Sequence, residues 1–282
     1  MSSVSDTAKV IGRNVIVAGN WKMNKTRAEA RELTEAIKKG LGQSAGLPEV
    51  VLIPPFTALS EVESQIKGSK LKLGAQNMDY RDSGAFTGEI SPLMLKEIGV
   101  QYVLIGHSER RQFFGETNQT THLRLKAAFE HGFLPILCVG ESLDEREAEL
   151  TDAVVNRQVG AAVAEIDKNH LSKLVIAYEP VWAIGTGKHC EAPEANRVAK
   201  IIRNTLRSLF SKAGAKDSDA EIVPILYGGS VNAGNVDKQL DTQSDEIDGV
   251  LVGGASLKAD EFLTLIRAGE KRKMNLKSAA VR

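Results

Sequence analysis

The chain has 282 residues, of which 42% are hydrophobic and 26% are charged. Lysine plus arginine and aspartate plus glutamate each number 36, so the formal net charge at pH 7 is zero. This balance argues against a protein that binds nucleic acid or a membrane surface, because such proteins carry a basic excess. No apolar run approaches the roughly 20 residues of a membrane span, so we expect no membrane segment.

Cysteine usage and the first residues of the chain bear on its compartment. Cys138 and Cys190 are the two cysteines, too few for a disulfide scaffold and without the spacing of a metal site. Residues 1–13 contain Asp6 and lack an apolar stretch of signal-peptide length. We therefore expect free thiols and a cytoplasmic protein. Because Cys190 lies in a predicted loop, a further hypothesis is that its thiol is exposed and reactive.

Eight short runs rich in valine, isoleucine and leucine recur along the chain. They cover residues 15–22, 50–55, 71–77, 102–109, 134–141, 174–180, 222–230 and 248–256. Near-continuous apolar character indicates parallel strands buried on both faces, and helical patterns lie between them. Eight strand–helix units favour a closed (β/α)8 barrel over an open sheet. The predicted fold class is α/β, with eight parallel strands and eight surrounding helices.

Helix ends and domain limits are also marked. Thr26 followed by Glu29 fits a capping box, Ser91 fits an N-cap before a proline, and Gly40 fits a helix end. No linker or second domain is visible. The sequence predicts a short flexible extension at 1–12, one barrel domain at 13–268, and a disordered basic tail at 269–282.

Several of the apolar runs finish on a polar residue or a glycine. Parallel strands of a barrel end at one rim, where active sites of this architecture are built. Side chains spread from position 20 to position 254 are therefore expected to meet around one pocket. These strand-end residues are Asn20, Lys22, Asn77, His107, Glu141, Glu179, Ser230, Gly253 and Gly254.

Three of these residues have the chemistry of proton transfer. Glu179 lies between an apolar run and Pro180, and a partly dry site raises the proton affinity of a carboxylate, which suits a general base. Lys22 would attract a phosphate and polarise a carbonyl. His107 opens a short polar segment, and a helix start there would disfavour the imidazolium form. The structural alternatives are rim salt bridges for Glu179 and Lys22, and an ordinary loop histidine for His107.

Glycines at two neighbouring strand ends indicate a phosphate site. Gly228-Gly229-Ser230 ends the seventh run and Gly253-Gly254 ends the eighth, and glycine lets backbone N–H groups approach an anion closely. Loops after strands 7 and 8 are the usual phosphate site of such barrels. Together with the three residues above, this set suits proton abstraction beside a carbonyl on a small phosphorylated substrate.

Seven motifs together resemble the triosephosphate isomerase family, over residues 13–268. They are AGNWKMN (18–24), GAFTGEIS (84–91), IGHSERR (105–111), CVGE (138–141), YEPVWAIGTGK (178–188), YGGSV (227–231) and GVLVGGASL (249–257). The resemblance implies a TIM barrel and a cofactor-free, metal-free isomerase. Its reaction interconverts glyceraldehyde 3-phosphate and dihydroxyacetone phosphate, a step used in glycolysis, gluconeogenesis and carbon fixation.

The resemblance also implies roles for individual residues. Glu179 would be the base and His107 the electrophile, while Asn20 and Lys22 would bind substrate and Glu109 would bond Lys22. Phosphate would be held by Gly185, Ser230, Gly253 and Gly254. A lid would close against Tyr227 and Ser230. The lid residues are Pro180, Val181, Trp182, Ala183, Ile184, Gly185, Thr186, Gly187 and Lys188.

The long loop at 77–91 is expected to join two subunits. The resemblance implies that it inserts beside the first-strand lysine of a second copy, which predicts a homodimer. The loop residues concerned are Gly84, Ala85, Phe86, Thr87, Gly88 and Glu89. Two other functions remain open from the sequence: another sugar-phosphate isomerase on a phosphate-binding barrel, and a barrel that has lost catalysis and serves in interaction. Neither gives a reason to retain all seven motifs.

Overall fold

A closed parallel barrel forms the centre of the molecule. The computed structural model describes residues 13–42, 44, 46–185, 188–241 and 246–280, so the predicted extension at 1–12 lies outside the described residues. Strands β1 to β8 pair in sequence order and β8 pairs with β1, which confirms the predicted fold class. The strands are Ile16–Asn20, Glu49–Ile53, Leu71–Ala75, Tyr102–Ile105, Leu134–Val139, Val175–Tyr178, Ile225–Tyr227 and Gly249–Val252.

Helices surround the barrel, and several strand–helix units carry a short extra helix in addition to the long one. The described residues contain twelve α-helices, α1 to α12. They are Arg27–Leu41, Leu59–Ile66, Pro92–Ile98, Ser108–Phe113, Asn118–Glu130, Leu143–Glu147, Thr151–Val163, Lys168–Leu171, Ala192–Lys212, Asp217–Glu221, Val236–Gln239 and Ala259–Ala280. Among the residues described, none of these helices combines the length and the apolar character that crossing a membrane requires.

Alternation along the strands separates two apolar layers. Ile16 and Ala18 of β1 pack with Val51 and Ile53 of β2 in one buried cluster, while Val17 belongs to a second, larger cluster shared with the helices. Successive side chains of a strand point to opposite faces, so the first cluster fills the barrel and the second lies between sheet and helices. Both faces of each strand are buried, which accounts for the near-continuous apolar runs in the sequence.

The observed strands end two to four residues before the predicted runs do. The difference lies at the carboxyl ends, where the polar strand-end residues other than Asn20, the last residue of β1, come after the end of the strand. Lys22, for example, lies two residues beyond β1. These residues are therefore free to turn toward the rim instead of alternating with the strand.

The helix signals are confirmed at two starts and wrong at one end. Thr26 forms a capping box with Glu29, and the Ser91 side chain caps α3. Gly40, however, lies inside α1, which continues to Leu41. A Cβ at Gly40 would lie 2.1 Å from Leu263 of α12, so this glycine permits close packing of the two helices.

The C-terminal tail differs from the expectation of disorder. Helix α12 continues through residue 280. Arg272 is buried, and its guanidinium donates hydrogen bonds to the carbonyl oxygens of Asp241 (3.0 Å) and Ile247 (3.2 Å). Lys273 donates to the carbonyl of Leu47 (2.6 Å). These basic residues thus bind carbonyl groups at the amino-terminal end of the barrel, which the run of charges in the sequence did not reveal.

Candidate active site

A cavity of about 340 Å³ opens at the carboxyl ends of the strands. The structure brings together here nearly all of the predicted catalytic and phosphate-binding residues. Those that line it are Asn20, Lys22, His107, Glu179, Gly185, Ser230, Gly253 and Gly254. Glu109 lies next to the cavity, where its carboxylate accepts a hydrogen bond from the Lys22 ammonium group. Within the described ranges, no three His, Cys, Asp or Glu side chains are grouped as a metal site requires.

Lys22 is held in an unusual backbone conformation. Its φ of 51° lies in the left-handed region, which costs a residue with a side chain of order 1–3 kcal/mol and often marks a functional site. Its backbone N–H donates to Asn20 Oδ1 (3.0 Å), and its carbonyl accepts from Gln76 Nε2 (2.8 Å). The ammonium group pairs with Glu109. Sequence reasoning missed Gln76, which fixes the backbone that aims Lys22.

His107 precedes the first residue of α4 and caps it. The backbone N–H of Glu109 donates to Nδ1 (3.2 Å), so in the neutral ring Nε2 carries the hydrogen. Nε2 lies 3.1 Å from Oε1 of Glu179. The helix start predicted after His107 is therefore present, and it presents the ring's hydrogen-bond donor to the cavity.

Glu179 and His107 are a buried pair that shift each other's pKa. Burial raises the pKa of the Glu179 carboxyl, but the His107 ring and the Ser108 backbone N–H (2.9 Å) outweigh this and lower it. Burial lowers the pKa of the His107 imidazolium, but the Glu179 carboxylate outweighs this and raises it. The expectation of a neutral ring rested on the helix start alone. The contact with Glu179 acts in the opposite direction for as long as the two side chains touch.

Glycines keep space open around these side chains. A Cβ at Gly228 would lie 2.8 Å from Cγ of Glu179, and one at Gly253 would lie 3.2 Å from Cε of Lys22. A larger residue at either position would displace the candidate base or cation. The glycines after β7 and β8 therefore shape the cavity as well as allowing close approach of an anion.

The first half of the predicted lid is fixed by Glu141. Trp182 Nε1 donates to Glu141 Oε1 (2.7 Å), and the Tyr178 hydroxyl donates to the same carboxylate. The Arg146 guanidinium lies 4.4 Å above the Trp182 ring. Burial raises the pKa of Glu141 despite these donors. Glu141 was recognised as a strand-end residue, but no sequence signal linked it to Trp182.

A family model described as triosephosphate isomerase matches residues 15–269. The chain belongs to the triosephosphate isomerase family. It is 48% identical over 254 residues to the triosephosphate isomerase of Clostridium tetani and 51% identical over 258 residues to that of Synechococcus sp. strain JA-2-3B'a(2-13). Each alignment covers 90% of this chain and 96% of the relative. The predicted family is confirmed.

In this triosephosphate isomerase family member, the second half of the lid ends at Cys190, where the chain returns to the barrel. Ile184 and Gly185 line the cavity, whereas the predicted lid residues Thr186 and Gly187 lie outside the described residues. The Ser230 hydroxyl donates to the Ala183 carbonyl. It therefore contacts the lid in this structure, in agreement with the expectation of a lid that closes against Ser230.

The hypothesis of an exposed, reactive Cys190 is wrong. Cys190 is fully buried, and burial raises the pKa of its thiol to about 12. Its backbone N–H donates to the Tyr227 hydroxyl (3.1 Å), which draws the chain against β7. Cys138 is a buried free cysteine inside the barrel.

The loop predicted to join subunits projects from the barrel. Gly84 to Glu89 are exposed, and 40% of the Phe86 side chain is accessible. Arg81 stiffens the loop because it donates to Asp79 and lies over the Phe86 ring. Asn77, at the start of this loop, is buried and lies away from the cavity.

Proposed function

We propose that this protein interconverts glyceraldehyde 3-phosphate and dihydroxyacetone phosphate by proton transfer through an enediolate. The observation that carries the proposal is the single cavity lined by Lys22, His107 and Glu179 beside the glycine loops that follow β7 and β8. This arrangement offers a base, two groups that stabilise a developing oxyanion, and backbone donors for a phosphate. The chemistry needs no cofactor.

The phosphate end of the substrate would lie against Gly185, Gly253 and Gly254. All three line the cavity, and a glycine brings backbone N–H groups close to an anion without a side chain in between. Ser230 would contribute through its backbone or, if its bond to the lid breaks, through its hydroxyl. The Lys22 ammonium adds positive charge to the same cavity, which favours a dianionic ligand.

Substrate binding would convert Glu179 into a stronger base. In the free protein, its carboxylate accepts hydrogen bonds from His107 and Ser108, and these lower its pKa. A substrate oxygen that takes the hydrogen bond from His107 Nε2 removes the largest of the lowering influences. Burial then dominates and the proton affinity of Glu179 rises. Glu179 would take a proton from one carbon and return it to the neighbouring carbon.

His107 would act as a neutral hydrogen-bond donor once the substrate separates it from Glu179. Without the Glu179 contact, burial is the largest influence and lowers the pKa of the imidazolium, as does the charge of Lys22, whereas the Glu109 carboxylate raises it. The Glu109 N–H on Nδ1 also leaves that nitrogen no position for a proton. The ring would therefore donate from Nε2 to whichever substrate oxygen gains negative charge, together with Lys22.

An isomerase assay with Glu179→Asp tests this proposal. Dihydroxyacetone phosphate formed from glyceraldehyde 3-phosphate is measured by its coupled reduction. Shortening the side chain by one methylene withdraws the carboxylate from the substrate carbon, so kcat should fall by about 10²–10⁴, the usual contribution of a positioned base. Glu35→Asp, on the exposed surface of α1, is the matched control and should retain full activity. An inactive, folded wild type would refute the function.

We also propose a homodimer through the loop at 77–91. Phe86 is accessible on that loop, and Met23, beside Lys22, is 96% exposed. Phe113 and Phe114, which follow the segment that bears His107, are exposed as well. All of them lie on segments that follow strands at the catalytic rim, and large exposed apolar side chains there favour burial by a partner. The partner's loop would then cover Met23 and restrain Lys22.

Light scattering at the assay concentration tests the dimer. The expected mass is twice the 30.5 kDa of one chain. Phe86→Asp should shift the mass toward the monomer, because a charge would be buried at the interface, and should reduce kcat/KM. A fully active wild-type monomer would rule the dimer out.

The cytoplasm is the proposed location. The support is that Cys138 and Cys190 are both free, as is usual in a reducing compartment. Fractionation of the source cells, with isomerase activity followed in each fraction, tests this proposal.

A further inference from the structure

Cys190, where the lid rejoins the barrel, has both its backbone N–H and its backbone carbonyl in hydrogen bonds. The Cys190 N–H donates to the Tyr227 hydroxyl, and the Cys190 carbonyl accepts from Gln239 Nε2 at 2.7 Å. Tyr227 ends β7, whereas Gln239 is the last residue of α11, which precedes β8. Strand β7 and helix α11, the two parts of one strand–helix unit, therefore both hold this one residue of the lid's second hinge.

Gln239 is a polar side chain at a buried position. It is only 2% exposed, and a buried amide without full hydrogen bonding is costly. Within the described part of the chain its Oε1 has no hydrogen-bond partner. A leucine would fill similar space without that cost. The hydrogen bond from the Gln239 amide to the Cys190 carbonyl offsets the cost of burying the amide. The amide therefore stabilises the position of the hinge residue Cys190.

We infer that Gln239 is a positioning residue for the lid, acting through the Cys190 carbonyl. This inference rests on the proposed function. With Cys190 fixed, movement of the lid is confined to the residues before it, and Gly185 returns to the same place at the rim of the cavity. A loosened hinge would let the lid close over a wider range of positions and admit water.

Water at the closed site has a chemical consequence that can be measured. In an enediolate phosphate exposed to solvent, the C–O bond to the phosphate can break. The electron pair leaves on the phosphate oxygen, and the three-carbon enol that remains tautomerises to a ketoaldehyde. The ratio of inorganic phosphate released to isomerisation therefore reports how well the lid closes, independently of how much folded enzyme is present.

The test compares Gln239→Met with Lys238→Met in the full-length protein. Methionine keeps the length of glutamine and removes the amide, and Lys238 is the exposed neighbour on the same helix. Three quantities are measured: hydrogen exchange of the Cys190 amide, phosphate released per isomerisation, and kcat/KM for glyceraldehyde 3-phosphate and for unphosphorylated glyceraldehyde.

Loss of one hydrogen bond should change the sensitive quantities by about threefold to tenfold. In Gln239→Met we expect faster exchange at Cys190, more phosphate per turnover, and a lower kcat/KM for the phosphorylated substrate alone. Lys238→Met should match the wild type. Unchanged exchange at Cys190 would overturn the inference, as would an equal loss of activity on both substrates. If the wild type has no isomerase activity, the proposed function fails, while hydrogen exchange at Cys190 still decides whether Gln239 holds the hinge.

Discussion

The two ends of the barrel both hold charged side chains, but they use them differently. At the amino-terminal end, Arg13 and Arg203 each contact Glu246 and Asp248, at 2.7–3.6 Å. Asp248 also accepts from the Ile225 backbone N–H (3.0 Å). At the carboxyl end, charged groups surround a cavity. One end satisfies its charges within the protein, and the other leaves room for a charged ligand to complete the set.

The pKa directions express this difference. At the amino-terminal end, burial raises the pKa of Asp248 and lowers that of Arg203. Those shifts mean that burying the ions is costly, and that their mutual contacts must offset the cost. At the carboxyl end the ion pair of Lys22 and Glu109 stays partly accessible to water. Removing a charge should therefore cost stability at the first end and activity at the second.

Among substitutions in these ion pairs, the largest effect is expected for Lys22→Met. The substitution removes the cation beside the reacting oxygens, and we expect kcat/KM to fall by about 10²–10³, as when one preorganised electrostatic group is lost. The free energy of unfolding should change by less than about 1 kcal/mol, because Glu109 is partly exposed and can be hydrated. Steady-state kinetics and thermal unfolding of the same preparation check both parts. A large loss of stability with normal kinetics would reverse the comparison.

Arg203→Met should have the opposite profile. The substitution leaves Asp248 buried with one cation fewer, and breaking such a pair typically costs about 3–5 kcal/mol. Activity per folded molecule should not change, since Arg203 lies at the other end of the barrel. Denaturant unfolding, with kcat measured at low temperature, tests this.

Arg197→Met provides the matched control for Arg203→Met. Arg197 makes exposed ion pairs with Glu194 and Asp152, and removing it should cost less than about 1 kcal/mol. If the two substitutions cost the same, the buried cluster has no special part in stability.

The parts of this molecule that the sequence predicts are those with local signals. Buried strands are continuous apolar runs, and the rim residues follow them directly, so Lys22, His107 and Glu179 could be found by position. Glycine pairs at neighbouring strand ends indicated the proposed phosphate site in the same way. The family motifs then gave each residue a role, which composition and periodicity alone could not do.

The supporting contacts could not be predicted, because each joins residues far apart in sequence. Gln76 reaches the Lys22 carbonyl across 54 positions, and Gln239 reaches Cys190 across 49. A glutamine in a helix or loop has no pattern that identifies its partner. The prediction for the basic tail was wrong for a similar reason. Arg272 lies in a run of charged residues that is typical of a solvated segment, but carbonyl groups at the amino-terminal end of the barrel accept its hydrogen bonds.

Cys190 extends the comparison between the two ends of the barrel. It lies at the catalytic end, but it is as fully buried as the core residues. A thiol reacts as the thiolate. Burial raises the pKa of Cys190 to about 12, against an ordinary 9.0, so at pH 8 its thiolate fraction is about a thousandfold below that of an exposed cysteine. Raising the pH from 8 to 9 increases the thiolate fraction of Cys190 about tenfold and that of an exposed cysteine about fivefold, so a gap of several hundredfold remains.

Labelling with a thiol reagent, mapped by mass spectrometry on native and guanidinium-unfolded protein, should therefore modify Cys190 only after unfolding. Modification of native Cys190 at the unfolded rate would show that the hinge opens freely. The clamp formed by Tyr227 and Gln239 would then hold Cys190 too weakly to set the position of the lid.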